Sequence, residues 1–255
     1  MFVDSHCHID KLDYENVHQN VADVLNKAKA AGVEQLLSVG VTLDSFPDML
    51  DMITPFEFVH ASCGVHPLDV ESDFALDTFC EYVQHPRVVA VGETGLDYHY
   101  QPETAELQKF RFVQQIEVAV EVNKPLIIHT RNAREDTLAL LRNGGADRCG
   151  GVIHCFTEDM AFAQAAMDLG FYISISGIVT FRQATELKEV VKALPLERLL
   201  IETDSPYLAP VPHRGKENQP AYVSEVASYI ARLKGIDVSE VAHHTSQNFA
   251  NLFFL

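Results

Sequence analysis

The sequence predicts an α/β fold, a single TIM (β/α)8 barrel, because two patterns alternate along its 255 residues. The first is a short run rich in Val, Ile and Leu without polar alternation, which is typical of parallel strands covered on both faces. The second is a longer segment whose apolar residues recur every three or four positions, as in helices that bury one face. Eight runs of the first kind lie near 2–6, 35–41, 58–64, 88–92, 126–129, 152–154, 172–176 and 199–203.

The predicted helices lie between these runs and after the last of them. In the first helix an apolar face precedes a glycine stop at Gly32, and this face consists of Val17, Val21, Val24, Leu25 and Ala28. The next clear face consists of Leu107, Phe110, Val113, Ile116 and Val120. Later faces lie within 138–141, 162–169, 187–194 and 223–233. Asp237, with Glu240 three residues on, predicts a capping box that opens a last helix over 237–252.

A closed barrel is favoured over a doubly wound open sheet by the polar residues that end the strands. No linker, low-complexity stretch or short repeat divides residues 1–255, so one domain is predicted. Candidate metal ligands occur at the ends of the first, fourth, fifth, sixth and eighth strands. An open sheet would rarely scatter ligands so widely, whereas a barrel brings all of these strand ends to one mouth, where barrel enzymes have their active sites.

Six residues form the candidate metal site. Two histidines alternate in the first strand and so place two imidazoles on one side of it, while the other four residues end later apolar runs. The six are His6, His8, Glu93, His129, His154 and Asp204. Imidazole and carboxylate groups in this number are enough for two divalent ions that keep open water positions. Two such ions can hold a hydroxide between them and contact a phosphoryl oxygen.

Composition and charge narrow the class of protein. The net charge of −17 excludes a broad cationic surface, so any phosphate substrate must be held locally, by metal ions and a few cations. No apolar run approaches membrane-spanning length, and no signal peptide is expected, because the N-terminus reads directly as a strand that carries candidate ligands. Five cysteines without a Cys-x-x-Cys pair favour reduced thiols, and therefore a cytoplasmic location.

Several short motifs carry a resemblance to a known family. They are His6-x-His8, Gly64-Val65-His66-Pro67, Gly92-Glu93-Thr94-Gly95-Leu96-Asp97, His129-Thr130-Arg131, His154-Cys155-Phe156, Glu202-Thr203-Asp204-Ser205-Pro206-Tyr207-Leu208 and the proline-rich loop 209–218. Each motif alone is weak, but the ordered set covers essentially the whole chain and resembles the TatD family of metal-dependent hydrolases.

The resemblance implies a barrel of the amidohydrolase type with two divalent metal cations per subunit, with Zn, Mg, Mn, Co and Ni all open as the native ion. It implies phosphodiesterase activity, in many members on DNA. Carried over by position, two histidines would bind each ion, Glu93 would bridge the ions, and Asp204 would bind the first ion and face the attacking water. The pairs are His6 with His8 and His129 with His154.

Further residues are candidates for contact with substrate or for support of the ligands. His66 is expected to contact a substrate phosphate or donate a proton. Arg131 and the loop cations His213, Arg214 and Lys216 would bind an anionic substrate, with surface ion pairing and a solvated charge run as the alternatives. Asp4, Asp97 and Glu202 are read as support for the ligands or as structural residues. The group Tyr98, His99 and Tyr100 could stack a nucleobase or pack its loop, and both readings stay open.

The predicted activity is hydrolysis of phosphodiester bonds through a metal-activated hydroxide, with Asp204 as general base. The expected substrate is single-stranded or frayed DNA, cleaved by a deoxyribonuclease of the 3'-5' exonuclease type, and a monomer is favoured. One alternative is an amidohydrolase acting on a C–N or ester bond, since the same hydroxide attacks a carbonyl. The other is a non-catalytic metal-binding scaffold in DNA repair or quality control.

Overall fold

Eight parallel strands follow one another in sequence order around a barrel in the computed structural model, which describes residues 1–254. The strands are β1 (Phe2–Cys7), β2 (Val33–Val39), β3 (Val59–Cys63), β4 (Val88–Asp97), β5 (Leu126–Arg131), β6 (Gly151–Ile153), β7 (Phe171–Ile175) and β8 (Leu199–Ile201). All eight predicted strands are present, and the predicted α/β barrel is confirmed. The predicted domain ends at Leu255, which lies outside the described residues.

The first and last strands meet beside residues of the candidate site. A parallel bridge joins Cys7 to Ser205 just beyond the end of β8. The backbone N–H of Asp204 donates to the carbonyl of His6 at 2.9 Å, and that of His8 donates to the carbonyl of Ser205 at 2.8 Å. Barrel closure therefore brings the His-x-His segment and Asp204 together.

Nine α-helices are found in the described part of the chain. They are α1 (Val21–Ala30), α2 (Phe46–Ile53), α3 (Leu76–Val83), α4 (Ala105–Val122), α5 (Arg134–Asn143), α6 (Met160–Asp168), α7 (Thr185–Ala193), α8 (Val223–Lys234) and α9 (Val238–Phe253). Their buried faces form the main apolar core against the outside of the barrel. Among residues 1–254, no helix combines the length and apolar character needed to cross a membrane.

The last helix contributes to a second, smaller core. Phe249 and Phe253 of α9 pack with Val3 of β1 and with residues of five further strands, namely Leu37, Val39, Ala90, Ile127, Val152 and Leu200. These apolar residues fill the barrel below the ends of the strands. The polar mouth at the C-terminal ends therefore has a packed floor.

The start of the first helix and the N-terminal cap of the last helix differ from the sequence prediction. Helix α1 begins at Val21 rather than near Val17, because the Asn20 side chain accepts the N–H of Asp23 at 3.0 Å and caps the helix there. Val17 lies before this cap and is exposed. The predicted capping box of α9 is wrong as well, since the side chain of Asp237 makes no capping hydrogen bond.

The buried face of α4 also differs from the predicted one. Phe110 is exposed, whereas Gln108 and Gln115 are fully buried. Gln115 accepts the N–H of Val65 at 2.8 Å and donates to its carbonyl at 3.1 Å. Gln108 makes the same pair of bonds to the backbone of Asp97, at 2.8 and 3.0 Å. The side chains of Gln115 and Gln108 therefore fix the backbone at Val65 and Asp97, beside the mouth of the barrel.

We expect Gln115→Ala to lower the free energy of unfolding by about 2–4 kcal/mol, because it leaves a buried N–H and a buried carbonyl without partners. Urea unfolding followed by circular dichroism measures the change. Gln247→Ala, an exposed glutamine on α9, is the matched control and should stay within about 0.5 kcal/mol of the wild type. A Gln115→Ala variant as stable as this control would contradict the assigned role.

Candidate metal centre

All six predicted ligands meet at the mouth of the barrel, with the Glu93 carboxylate at the centre. On one side, Glu93 Oε2 lies 3.2 Å from His6 Nε2 and 3.9 Å from His8 Nε2. On the other side, Glu93 Oε1 lies 3.2 Å from His129 Nδ1 and 2.8 Å from His154 Nε2. The carboxylate therefore faces one pair of histidines with each oxygen.

Asp204 lies on the same side as the first pair of histidines. Its Oδ1 is 3.4 Å from His8 Nε2 and 3.7 Å from His6 Nε2. Its backbone has a positive φ of 56°, a conformation that Asp and Asn adopt more readily than most residues. This turn directly after β8 directs the carboxylate at the first pair.

Two of the histidines are oriented by a hydrogen-bonded partner on their other ring nitrogen, and a third lies beside a carboxylate there. His8 Nδ1 lies 3.2 Å from the carbonyl of Val39, and His129 Nε2 lies 3.0 Å from Asp97 Oδ2. His154 Nδ1 lies 3.3 Å from Glu202 Oε1, a charge contact whose geometry falls short of a hydrogen bond. Such partners fix the ring so that the opposite nitrogen is presented to a metal or to Glu93. Asp97 and Glu202 thus occupy supporting positions.

The fourth histidine, His6, has no such partner. Its Nδ1 is buried without a hydrogen bond among the described residues. Its ring instead stacks on that of His154, with centroids 4.0 Å apart and planes 14° from parallel.

Asp4, two residues before His6 in β1, accepts hydrogen bonds from the N–H and the hydroxyl of Thr203 at 2.8 and 2.6 Å. These bonds join β1 to the segment that follows β8.

Glycines on both sides of Glu93 permit the close approach of β4 to β5. Gly92 and Gly95 have positive φ angles of 143° and 138°. A Cβ at Gly95 would lie 2.0 Å from the carbonyl oxygen of His129, and one at Gly92 would lie 2.6 Å from that of Ile127. Any side chain at these positions would separate Glu93 from His129.

The buried charges of the cluster are strongly coupled. Burial opposes ionisation of Glu93, yet the surrounding histidines, chiefly His154, hold the pKa of its carboxyl well below the usual range. Burial likewise opposes ionisation of Asp204, and its hydrogen bond with His8 outweighs this and lowers the pKa of the carboxyl. Both side chains are therefore carboxylates in this setting.

The donor set fits divalent metal ions. Groups of potential ligand atoms within 4.8 Å of one another comprise His6 with His8 and Glu93, and His66 with Glu93 and His129. A third such group joins His6 and His154 to Glu202. Imidazole nitrogens and carboxylate oxygens that converge in a buried pocket suit ions of the Zn, Mn, Co or Ni type.

His66 lies closer to this cluster than the sequence indicated. Its Nε2 is 3.3 Å from Glu93 Oε1. Its Nδ1 accepts the N–H of Leu68 at 3.1 Å, which indicates that Nε2 carries the proton of the neutral ring. A protonated Nε2 donates a hydrogen bond, so in this tautomer His66 is not a metal ligand despite its place beside Glu93 and His129, and this distinguishes it from the other four histidines.

The other predicted substrate contacts lie outside the cluster. The guanidinium of Arg131 lies 4.6 Å over the ring of Tyr100, which is exposed. The ring of Tyr100 also packs edge-on against that of His99 at 4.7 Å, whereas the hydroxyl of Tyr98 donates to Asp136 at 2.8 Å.

The loop that follows β8 separates its three predicted cations. His213 stacks on Tyr222 at 3.7 Å and lies 3.8 Å from Glu225 of α8, away from the ligands. Arg214 lies 3.8 Å over the ring of Phe181, and Lys216 is exposed. Phe181, which no sequence motif singled out, thus packs against Arg214 of this loop.

Comparison with known proteins agrees with this geometry. Residues 3–254 match the protein family described as TatD related DNase. This chain belongs to the TatD family. The resemblance carried by the sequence motifs is confirmed, and the chain is a metal-dependent hydrolase of this family.

Individual TatD-family relatives align over nearly their full lengths. The protein named uncharacterized metal-dependent hydrolase YcfH, from Escherichia coli K12, is 54% identical over 99% of this chain and 96% of its own length. The 3'-5' ssDNA/RNA exonuclease TatD of Escherichia fergusonii is 36% identical over 91% of this chain and 92% of its own. The crystal structure of the TatD homologue YjjV of Escherichia coli K12 superposes with a TM-score of 0.92 and 28% identity, over 100% of this chain and 98% of that one.

Proposed function

We propose that this protein is a 3'-5' exonuclease that hydrolyses phosphodiester bonds of single-stranded DNA with two divalent cations. The observation that carries the proposal is the Glu93 carboxylate, which presents one oxygen to each of two histidine pairs. The relative named as a 3'-5' ssDNA/RNA exonuclease, at 36% identity, supports the choice of substrate and leaves RNA as a second substrate to test.

The ligands divide into two groups around Glu93 in this proposal. The first cation would be held by His6, His8 and Asp204, and the second by His129 and His154. The division follows the two oxygens of Glu93, since Asp204 lies on the Oε2 side only. Bound cations would lower the pKa of coordinated water and offset negative charge on the phosphoryl oxygens.

Asp204 and His66 supply the remaining chemistry. Asp204 is a carboxylate and can therefore accept a proton from the attacking water, as general base. His66 lies on the opposite, Oε1 side of Glu93, and its Nε2–H can donate to a phosphoryl oxygen as negative charge develops there. Burial of the cluster strengthens both interactions, because it excludes bulk water.

The proposal is tested on metal-stripped protein reloaded with Mg, Mn, Co, Ni or Zn in turn. We expect a labelled single-stranded oligonucleotide to be shortened from its 3' end, and a lactone and a hydantoin to be left intact. Faster turnover of the lactone or the hydantoin would support an amidohydrolase instead. Metal uptake without hydrolysis of any of the three would support a non-catalytic scaffold.

We expect single-stranded DNA to be cleaved faster than a blunt duplex of the same sequence. With a net charge of −17, only a few local cations can contact phosphates, so no broad surface is present to bind a duplex. For the same reason log KM should vary with log salt with a slope of only about 2, which corresponds to roughly three neutralised phosphates. Faster cleavage of the duplex, or a steep salt slope, would contradict this prediction.

A further inference from the structure

A groove of about 540 Å³ opens between the loop after β7 and the loop after β8. Its lining includes Ile178, Phe181 and Arg182 from the first loop and Val211 and Arg214 from the second. Both loops follow the C-terminal ends of their strands, so the groove lies on the same face of the barrel as the metal ligands. Its volume is within the range of small-ligand sites.

The two loops that form the groove are held firmly together. The N–H of Val211 donates to the hydroxyl of Thr180 at 2.9 Å. A Cβ at Gly177 would lie 2.2 Å from the carbonyl oxygen of Leu208, so the two backbones touch at this point. The second loop begins at Asp204, and the groove is therefore connected to the proposed general base by a short, packed segment.

The charge of the groove contrasts with that of the chain. The protein carries 36 acidic and 19 basic side chains, yet the lining of the groove contains two arginines and no carboxylate. Arg182 and Arg214 have no ion pair with any carboxylate among residues 1–254. Two unpaired arginines in one groove provide a local site for an anion.

Arg214 is already fixed in position. Its guanidinium lies 3.8 Å over the ring of Phe181, and its Nη1 donates to the carbonyl of Ala209 at 3.3 Å. A planar guanidinium held on an aromatic ring loses little further freedom when it binds a phosphate. Phe181 is therefore a positioning residue for Arg214.

We infer that this groove binds the part of the DNA strand that remains after the 3' nucleotide is released. It binds this retained strand through the phosphate next to the scissile one. The inference rests on the proposed exonuclease function. A mononucleotide released from the 3' end carries only the scissile phosphate, which must lie at the metal ligands. A second phosphate site can therefore serve only the strand that stays behind. Arg182 and Arg214 bind that phosphate, and Ile178 and Val211 contact the sugar or base.

The test compares a dinucleotide, which has one phosphodiester, with a trinucleotide, which has two. In the wild type we expect kcat/KM for the trinucleotide to exceed that for the dinucleotide by on the order of 10-fold, through a lower KM. In the double variant Arg182→Ala and Arg214→Ala this ratio should fall close to one. Phe181→Leu should raise KM for the trinucleotide with little change in kcat, which separates positioning from a general loss of structure.

Arg232→Ala is the matched control, because Arg232 is an exposed arginine stacked on Tyr229 of α8 and should leave the ratio unchanged. A wild-type ratio near one, or a ratio that survives loss of both arginines, would overturn the inference and leave the exonuclease function standing. No cleavage of either the dinucleotide or the trinucleotide with any ion would contradict the exonuclease function itself, and the inference would fail with it.

Discussion

The Asp204→Asn variant is expected to lose hydrolysis by a factor on the order of 10²–10⁴ in kcat while keeping its fold. Asn retains the shape and one oxygen of the side chain but cannot accept the proton of the attacking water. The backbone at this position has a positive φ of 56°, which Asn adopts readily, so the turn after β8 should be preserved. Loss of activity would then reflect chemistry rather than unfolding.

The measurement is single-turnover cleavage of a single-stranded oligonucleotide at saturating metal, with circular dichroism and metal content determined on the same sample. Asp147→Asn, at an exposed position outside the mouth, is the matched control and should retain full activity. A folded, metal-loaded Asp204→Asn variant with near-wild-type kcat would exclude Asp204 as the general base.

The wild type is expected to bind two divalent cations per chain. The Glu93→Gln variant is expected to lose affinity for both of them. Each Glu93 oxygen faces a different pair of histidines, so removal of its charge weakens both positions together. Loss of even a supporting partner typically costs about 10–100-fold in metal affinity, and loss of a shared ligand should cost at least as much.

Elemental analysis after equilibration with a series of chelator-buffered metal concentrations gives both the number of ions bound per chain and the affinity for them. Glu240→Gln, at an exposed position in α9, is the control and should bind as the wild type does. A wild-type stoichiometry that never exceeds one at excess metal would contradict the two-ion proposal. Loss of only one ion in Glu93→Gln would contradict the bridging position of Glu93.

The barrel and the position of its mouth could be predicted because strands follow a local rule. Parallel strands covered on both faces are almost wholly apolar, so a His, Glu or Asp at the end of such a run marks the C-terminal edge of the sheet. The alternation of His6 and His8 follows from the two-residue period of a strand. These patterns sufficed for the fold class and for bringing six side chains to one place.

Helix faces were predicted less well, because polar residues can occupy buried positions. Apolar spacing in α4 favoured Leu107 and Phe110, whereas the packed helix buries Gln108 and Gln115. Each glutamine has a backbone N–H and carbonyl opposite it that need partners, at Asp97 and Val65. A helix taken alone contains no information about those groups on another segment.

The chain alone therefore specifies which residues face the mouth, since side-chain direction depends on local strand and helix periods. Contacts between distant segments decide what those residues do there. The carbonyl of Val39 orients His8, Asp97 orients His129, and Phe181 fixes Arg214. Hydrogen bonds and stacking act over only a few ångströms, so they depend on strand register and barrel closure, which the three-dimensional packing of the whole barrel sets.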